Sequence, residues 1–335
     1  EMVSSTLLAM ALGNLGCQAV SLSGAQAGIR TDAGYRRARI LSVDPRRVLA
    51  EMDKGKIVIV AGFQGIATDK DITTLGRGGS DTTAVALAAS LQAENCQIYT
   101  DVAGVYTADP RVVPEALQVK WIGYEEMLEL SSQGARVIHS RAVELAELYN
   151  MPVIVASSDG DIPGTLISKE EAVMEATNRV RGIAQEAKVV KITAVGVPDQ
   201  PGIAATIFEP LVKANISVDT IVQNTSIEGV TDLSFTVEQE DEAKARAIVE
   251  PVAMGIGAER CISEARLAKI SIVGTGMQNT PGFAAKMFRT LSEQGINIRM
   301  ITTSEIRITC IVSENRVDDA TRALHKAFVL DRGEP

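Results

Sequence analysis

The chain has 335 residues, 46% apolar and 22% charged, a balance that excludes disorder and leaves room for two or three compact units. A formal charge of −9, from 42 acids against 33 bases with no long basic run, argues against nucleic acid as a main partner. No apolar stretch reaches spanning length and no secretory leader is visible, and Cys17, Cys96, Cys261 and Cys310 lie far apart without CxxC spacing or nearby histidines. Neither a metal cage nor a disulfide framework is expected, and a reducing cytoplasm is the expected home.

The chain opens at Glu1 inside a helix-patterned run, EMVSSTLLAMALGNLG, with neither a methionine nor a cap before the first turn, so residues are expected to precede it. Strands are expected at 17–22 (CQAVSL), 56–63 (KIVIVAGF), 96–101 (CQIYTD), 152–157 (PVIVAS) and 164–168 (GTLIS). Helices are expected at Thr82–Leu91, Tyr124–Leu130 and Ser140–Tyr149, and the alternation implies an α/β layer fold with a largely parallel sheet. Ligands of such sheets sit at the carboxyl ends of strands.

Between one expected strand and the next helix stands TTLGRGGSDTTAVALAASL (73–91). Gly76, Gly78 and Gly79 give a loop of permissive backbone, Ser80 or Asp81 is placed to cap the helix, and a helix start favours anions. Arg77 adds a fork of donors shaped for a carboxylate or phosphate. On its own an RGGS run is often only a tight turn.

From 168 to 179 the chain turns polar and charged, which reads as a linker. Beyond it the sequence repeats: 191–224 matches 269–303, with Lys191/Lys269, Gly196/Gly274, Pro201/Pro281, Gly202/Gly282, Phe208/Phe288 and Leu211/Leu291 in common. Each copy reads as strand, Pro-Gly turn, helix and second strand, followed by DLSFTV (232–237) or RITCIV (307–312) and an amphipathic helix. The expectation is two ferredoxin-like βαββαβ units.

The loop at 73–91, YTDVAGVYTADPRVVP (99–114), YEEMLEL (124–130) and the tandem Pro-Gly repeats together resemble the bacterial aspartokinases over essentially the whole chain. That resemblance implies an amino-acid-kinase-like, parallel-rich sheet domain over 1–167, lacking its N-terminal part, and a linker at 168–179. It also implies one ACT unit at 189–262 and a second built from 180–188 with 263–335. It implies transfer of a phosphoryl group from ATP, with Mg²⁺, to the side-chain carboxylate of L-aspartate, feedback-regulated by lysine, threonine or both. Glu1 would receive the substrate ammonium, although an acid in a first helical turn has its own modest reason to be there. Arg77, Gly78, Gly79 and Ser80 would hold the substrate, and Asp81 would orient active-site lysines. Thr100, Asp101, Tyr106, Asp109, Arg111 and Arg136 would face the nucleotide, Arg136 standing where many relatives carry lysine. The family's N-terminal Lys-x-Gly-Gly segment is absent from these residues, so a polypeptide truly starting at Glu1 would have negligible kinase activity. No dedicated metal site is implied.

The same resemblance puts effectors against the Pro-Gly turns: Asp199, Pro201, Gly202, Ser217, Val218, Asp219 and Gln223 in the first repeat. Met277, Gln278, Phe283, Ala284, Asn297, Ile298, Thr303 and Ser304 form the matching surface of the second. Asp219 reads equally as an acceptor of an effector ammonium or as a solvated strand-end charge. Effector sites between subunits would imply a homodimer or an α2β2 assembly. His139 and His325 read as structural, and Trp121 as packing. Rival readings are another amino-acid kinase, which would lack the tandem repeat, and a non-catalytic regulatory subunit, which would lack most of the first half. A dehydrogenase with an ACT domain would need a GxGxxG that does not appear.

Overall fold

The computed structural model describes residues 1–135, 137–160, 163–169, 180–224, 229–277 and 280–332. Arg136, Gln278 and most of the expected linker lie outside the described residues. The chain forms two compact units, one of Glu1–Thr107 with Leu117–Ala176 and one of Ala108–Ala116 with Thr177–Pro335. Among the described residues no helix is long and apolar enough to cross a membrane.

The first unit begins with helix α1 (Met2–Asn14), strands β1 (Ala19–Leu22), β2 (Ile29–Thr31) and β3 (Ile40–Val43), helix α2 (Arg46–Met52) and strand β4 (Ile57–Val60). It continues through β5 (Gln64–Ile66), β6 (Ile72–Thr74), α3 (Gly79–Ser90) and β7 (Cys96–Thr100). Strand β8 (Trp121–Gly123), helices α4 (Tyr124–Ser132) and α5 (Ser140–Leu148), and strands β9 (Val153–Ser157) and β10 (Thr165–Ser168) complete it. Strands β1 and β4 pair in parallel, as do β7 with β9 and β10 with β8, whereas β10 runs antiparallel to β9. A further sheet in the order β3-β2-β5-β6 was not expected from the sequence. Its strands are three or four residues long, too short for an alternation to register. Trp121 packs at a strand start, and its indole N–H donates to Ser168 Oγ at 2.8 Å.

Helix α3 starts earlier than its apolar pattern implies. Its N-cap is Gly78, in the left-handed region at φ 71°, with no side-chain cap, so neither Ser80 nor Asp81 caps it. Both lie inside the first turn, because the glycines already turn the chain.

The second unit runs β11 (Gly182–Pro198), α6 (Ile203–Lys213), β12 (Ile221–Gln223), β13 (Val230–Glu238), α7 (Glu242–Gly255) and β14 (Arg260–Val273). Helix α8 (Phe283–Glu293), strands β15 (Met300–Thr303) and β16 (Arg307–Ser313), and helix α9 (Val317–Ala327) follow. The strands make one six-stranded sheet, ordered β12-β13-β11-β14-β16-β15. Two long strands form its centre and serve both repeats. Gly182–Glu186 of β11 pairs with Val273–Lys269 of β14, and Val189–Val195 pairs with Leu267–Arg260.

Two lysine–glutamate pairs sit directly across that central ladder. Lys269 Nζ lies 2.8 Å from Glu186 and Lys191 Nζ lies 2.9 Å from Glu264, each pair in register. The core under the first repeat joins Ile192, Phe235, Ile207, Leu211 and Val249. Phe208 meets Phe235 edge-to-face with centroids 5.3 Å apart. The four cysteines are free, and burial pushes the thiols of Cys96 and Cys310 up to about 11 and about 12, which leaves them unreactive.

Phe235 is wholly buried between the two helices of its repeat and the sheet. Phe235→Ala is expected to destabilise the second unit by about 3–5 kcal/mol. Hydrogen exchange checks this: amides of β11 and β13 exchange much faster, while those of β7 and β9 keep their protection.

Candidate active site

The Gly-rich loop leaves β6 at Leu75 and enters α3 at Gly79. Its backbone folds on itself, Gly79 N–H donating to Gly76 O at 3.0 Å, while Leu75 N–H donates to Phe63 O at 3.0 Å. Gly78 has no alternative. A Cβ there would lie 2.1 Å from the His139 ring, and its φ of 71° disfavours any side chain. Gly79 is as tight, with a Cβ falling 2.8 Å from the Phe63 ring. Phe63 is itself held by its N–H donating to Thr83 Oγ1 at 3.2 Å, and Thr83 donates to Gly79 O at 2.7 Å.

Arg77, at the loop tip, is exposed and makes no ion pair among the described residues. Glu1 stands at the N-cap of α1, where Ser80 Oγ donates to its Oε1 at 3.1 Å. These two residues, both expected at the substrate and 79 positions apart in sequence, are thus neighbours. A groove of about 640 Å³ opens beside them, lined by Glu1, Gly62 and Ser80 and floored by Val58, Val60 and Leu87. Gly62 also runs against the loop, a Cβ there lying 3.5 Å from Ser80.

Asp81 faces away from the tip and accepts the His139 backbone N–H at 3.2 Å. Thr100 and Asp101 end β7, Thr100 Oγ1 donating to Asp101 Oδ1 at 3.0 Å, and Tyr106 bridges to Gln118. Sequence reading missed what holds that turn. Gln118 Nε2 donates to Ala103 O at 2.7 Å, and Thr165 Oγ1 accepts the Val105 N–H at 2.9 Å. Asp109 and Arg111 belong to the other compact unit and grip each other, Arg111 Nη2 lying 2.6 Å from Asp109 Oδ2. That guanidinium holds the Asp109 carboxyl below its ordinary range. Their segment is anchored by buried Ala108 and Val113 and by Arg322 Nη1, which donates to Val112 O at 3.4 Å.

In the repeats, Gly202 and Gly282 both cap their helices in the left-handed region, at φ 94° and 110°. Asp199, Pro201, Ser217, Asp219 and Gln223 are exposed and Val218 is half-buried. Asp219, though exposed, is paired: its carboxylate contacts Lys269, whose Nζ also meets Glu186. In the second repeat Asn297, Thr303 and Ser304 are exposed, Ala284 and Ile298 are half-buried, and Met277 is buried. Phe283 stacks on Phe328 with centroids 6.2 Å apart.

The amino acid kinase family profile matches residues 1–157, and the ACT domain profile matches 190–251 and 270–328. Aspartate kinase of Pseudomonas putida (strain KT2440) is 48% identical over 331 residues, spanning 99% of this chain and 80% of that protein. The chain belongs to the aspartokinase family. Aspartokinase 2 of Bacillus subtilis (strain 168), another member, is 49% identical over 332 residues, covering 99% of this chain and 81% of its own length. Among solved members, E. coli aspartokinase III in complex with aspartate and ADP superposes with a TM-score of 0.80 at 28% identity. The match covers 98% of this chain and 74% of that one.

His139 is more than a packing residue in this member of the family. It caps α5, its Nδ1 accepting the Arg141 N–H at 3.3 Å, which requires a neutral ring. Burial, then the nearby Arg141 charge, push its pKa below the ordinary value, against weaker opposition from Asp81 and Glu144. A base whose folded pKa is depressed stabilises the fold above its unfolded pKa, and that contribution fades as pH falls through the folded value. The first unit is therefore expected to lose stability on acidification below about pH 6.5. In His139→Gln that acid-dependent part of the denaturant midpoint shift is expected to shrink.

Proposed function

We propose that the chain is an aspartate kinase, transferring the γ-phosphoryl group of ATP to the side-chain carboxylate of L-aspartate to give 4-phospho-L-aspartate and ADP. A carboxylate oxygen of aspartate forms the new bond to phosphorus while the bond to the β,γ-bridging oxygen breaks, and ADP leaves with that electron pair. No covalent enzyme intermediate is needed, so positioning and charge neutralisation carry the catalysis. The observation that carries this reading is the meeting of Glu1 and Ser80 at one groove, with the exposed Arg77 three residues before Ser80 on the same loop. In this reading the Glu1 carboxylate receives the ammonium of the amino acid and the Arg77 guanidinium its carboxylate. The E. coli relative solved with aspartate and ADP supports the same assignment.

In this reading Thr100, Asp101 and Tyr106 at the end of β7 face the nucleotide. No group of three or more His, Cys, Asp or Glu among the described residues is arranged to hold a metal. In this reading Mg²⁺ would accompany the nucleotide and supply neutralisation of its phosphate charge. The repeats take lysine, threonine or both at their Pro-Gly turns, and E. coli aspartokinase III solved with lysine and aspartate supports lysine among them. Effector sites between subunits, in a homodimer or an α2β2 assembly, complete the proposal.

ADP release tests it in the full-length protein. Turnover is expected to require aspartate and to fall when lysine or threonine is added; release that ignores aspartate defeats the kinase reading. Arg77→Met removes a charge-assisted contact and is expected to lower kcat/KM for aspartate about ten- to hundredfold, with Tm unchanged.

A further inference from the structure

The tip of the Gly-rich loop is exposed, yet its backbone is fixed from behind by the start of α5. Arg141, in the first turn of that helix, donates from Nη1 to Leu75 O at 2.6 Å and from Nη2 to Ala38 O at 3.0 Å. Leu75 is wholly buried and lies two residues before Arg77. Ala38 belongs to the neighbouring turn, which also supports β6: Ala38 N–H donates to Thr74 O, and Thr74 N–H donates to Tyr35 O, each at 2.9 Å. One planar fork thus ties the root of the loop to two other segments of the first unit. The middle of the loop rests on the His139 ring at Gly78, and its end is held where Asp81 accepts the His139 N–H. Positions 75, 78 and 81 are therefore all fixed by two residues of one helix start, and Arg77 projects from between the fixed points.

We propose that Arg141, with His139 as its partner, is a positioning residue for aspartate: it sets the aim of the Arg77 guanidinium without touching the ligand. This deepens, and rests on, the reading of Gly76–Ser80 as the substrate loop. Arg141 makes no ion pair among the described residues, so its donors serve the two carbonyls. A lysine keeps the charge but presents a point donor in place of a planar fork, and it cannot span both oxygens in the same geometry.

Steady-state kinetics and hydrogen exchange on the full-length enzyme test this. Arg141→Lys is expected to raise KM for aspartate about fivefold and Arg141→Met more than tenfold, with KM for ATP and kcat within about twofold of the wild type. In both variants the amides of Gly76–Ser80 are expected to exchange faster while those of β7 and β9 keep their rates. An unchanged KM for aspartate in folded Arg141→Met overturns the proposal. So does a rise in both KM values accompanied by faster exchange across the whole first unit, which is the signature of a merely structural residue. If Arg141→Met fails to fold, Arg141→Lys decides by the same two readouts. If Arg77→Met leaves KM for aspartate unchanged, the substrate reading has failed instead, and exchange at Gly76–Ser80 in Arg141→Lys still reports whether the clamp exists.

Discussion

In the proposed role, the Arg77 guanidinium has to be held in place without being paired, because a resident acid would compete with the ligand and a freely moving loop would lose entropy on binding. The loop of Gly76–Ser80 meets that constraint by placing its restraints on the backbone. Gly78 lies against the His139 ring, Gly79 lies against Phe63, and the Leu75 carbonyl is taken by Arg141. None of these contacts uses the Arg77 side chain. Glycine here gives close approach as much as flexibility: the contacts to His139 and Phe63 fit only where no Cβ exists.

The same economy of side chains explains the position of Asp81. An acid in the first turn of α3 is favourably placed for the helix dipole, and its carboxylate also accepts the His139 N–H. It therefore joins α3 to α5 across 58 residues of sequence while leaving the exposed Ser80 to face Glu1. The groove beside them has an apolar floor of Val58, Val60 and Leu87 under a polar rim, the arrangement in which a few directed hydrogen bonds decide orientation.

How much of this was legible in the sequence follows from how far apart the interacting residues stand. The Gly-rich run, the apolar strand β4 and the duplicated Pro-Gly turns are local patterns, and sequence periodicity finds them with boundaries a few residues off. The sheet of β2, β3, β5 and β6 escaped, because three-residue strands such as Ile72–Thr74 carry no countable alternation. Ser80 and Asp81 read as caps of a helix starting at Thr82 because serine and aspartate are common there; the left-handed Gly78 already turns the chain. Arg141 was invisible for a different reason. Its partners lie 66 and 103 residues away, and they are carbonyl oxygens, which every residue has and which leave no mark on composition. Side chains that bind backbone are the least readable part of any site.

The two repeats show what duplication leaves undetermined. Their sequences align, their glycine caps share a conformation, and their central strands exchange lysine–glutamate pairs in register. Their surroundings nevertheless differ in sign. Around Lys269 the second neighbour is the acid Asp219, whereas Glu264 is shared between Lys191 and the base Arg299, which lies 3.4 Å away. The first cluster is left net negative and the second net positive. Lys269 is nearly enclosed, and the acids around it outweigh its desolvation and raise its pKa, so it stays charged. The two clusters therefore present opposite local fields on one common scaffold. Discrimination between two such surfaces needs no difference in fold, only the substitution of an acid for a base at one strand start.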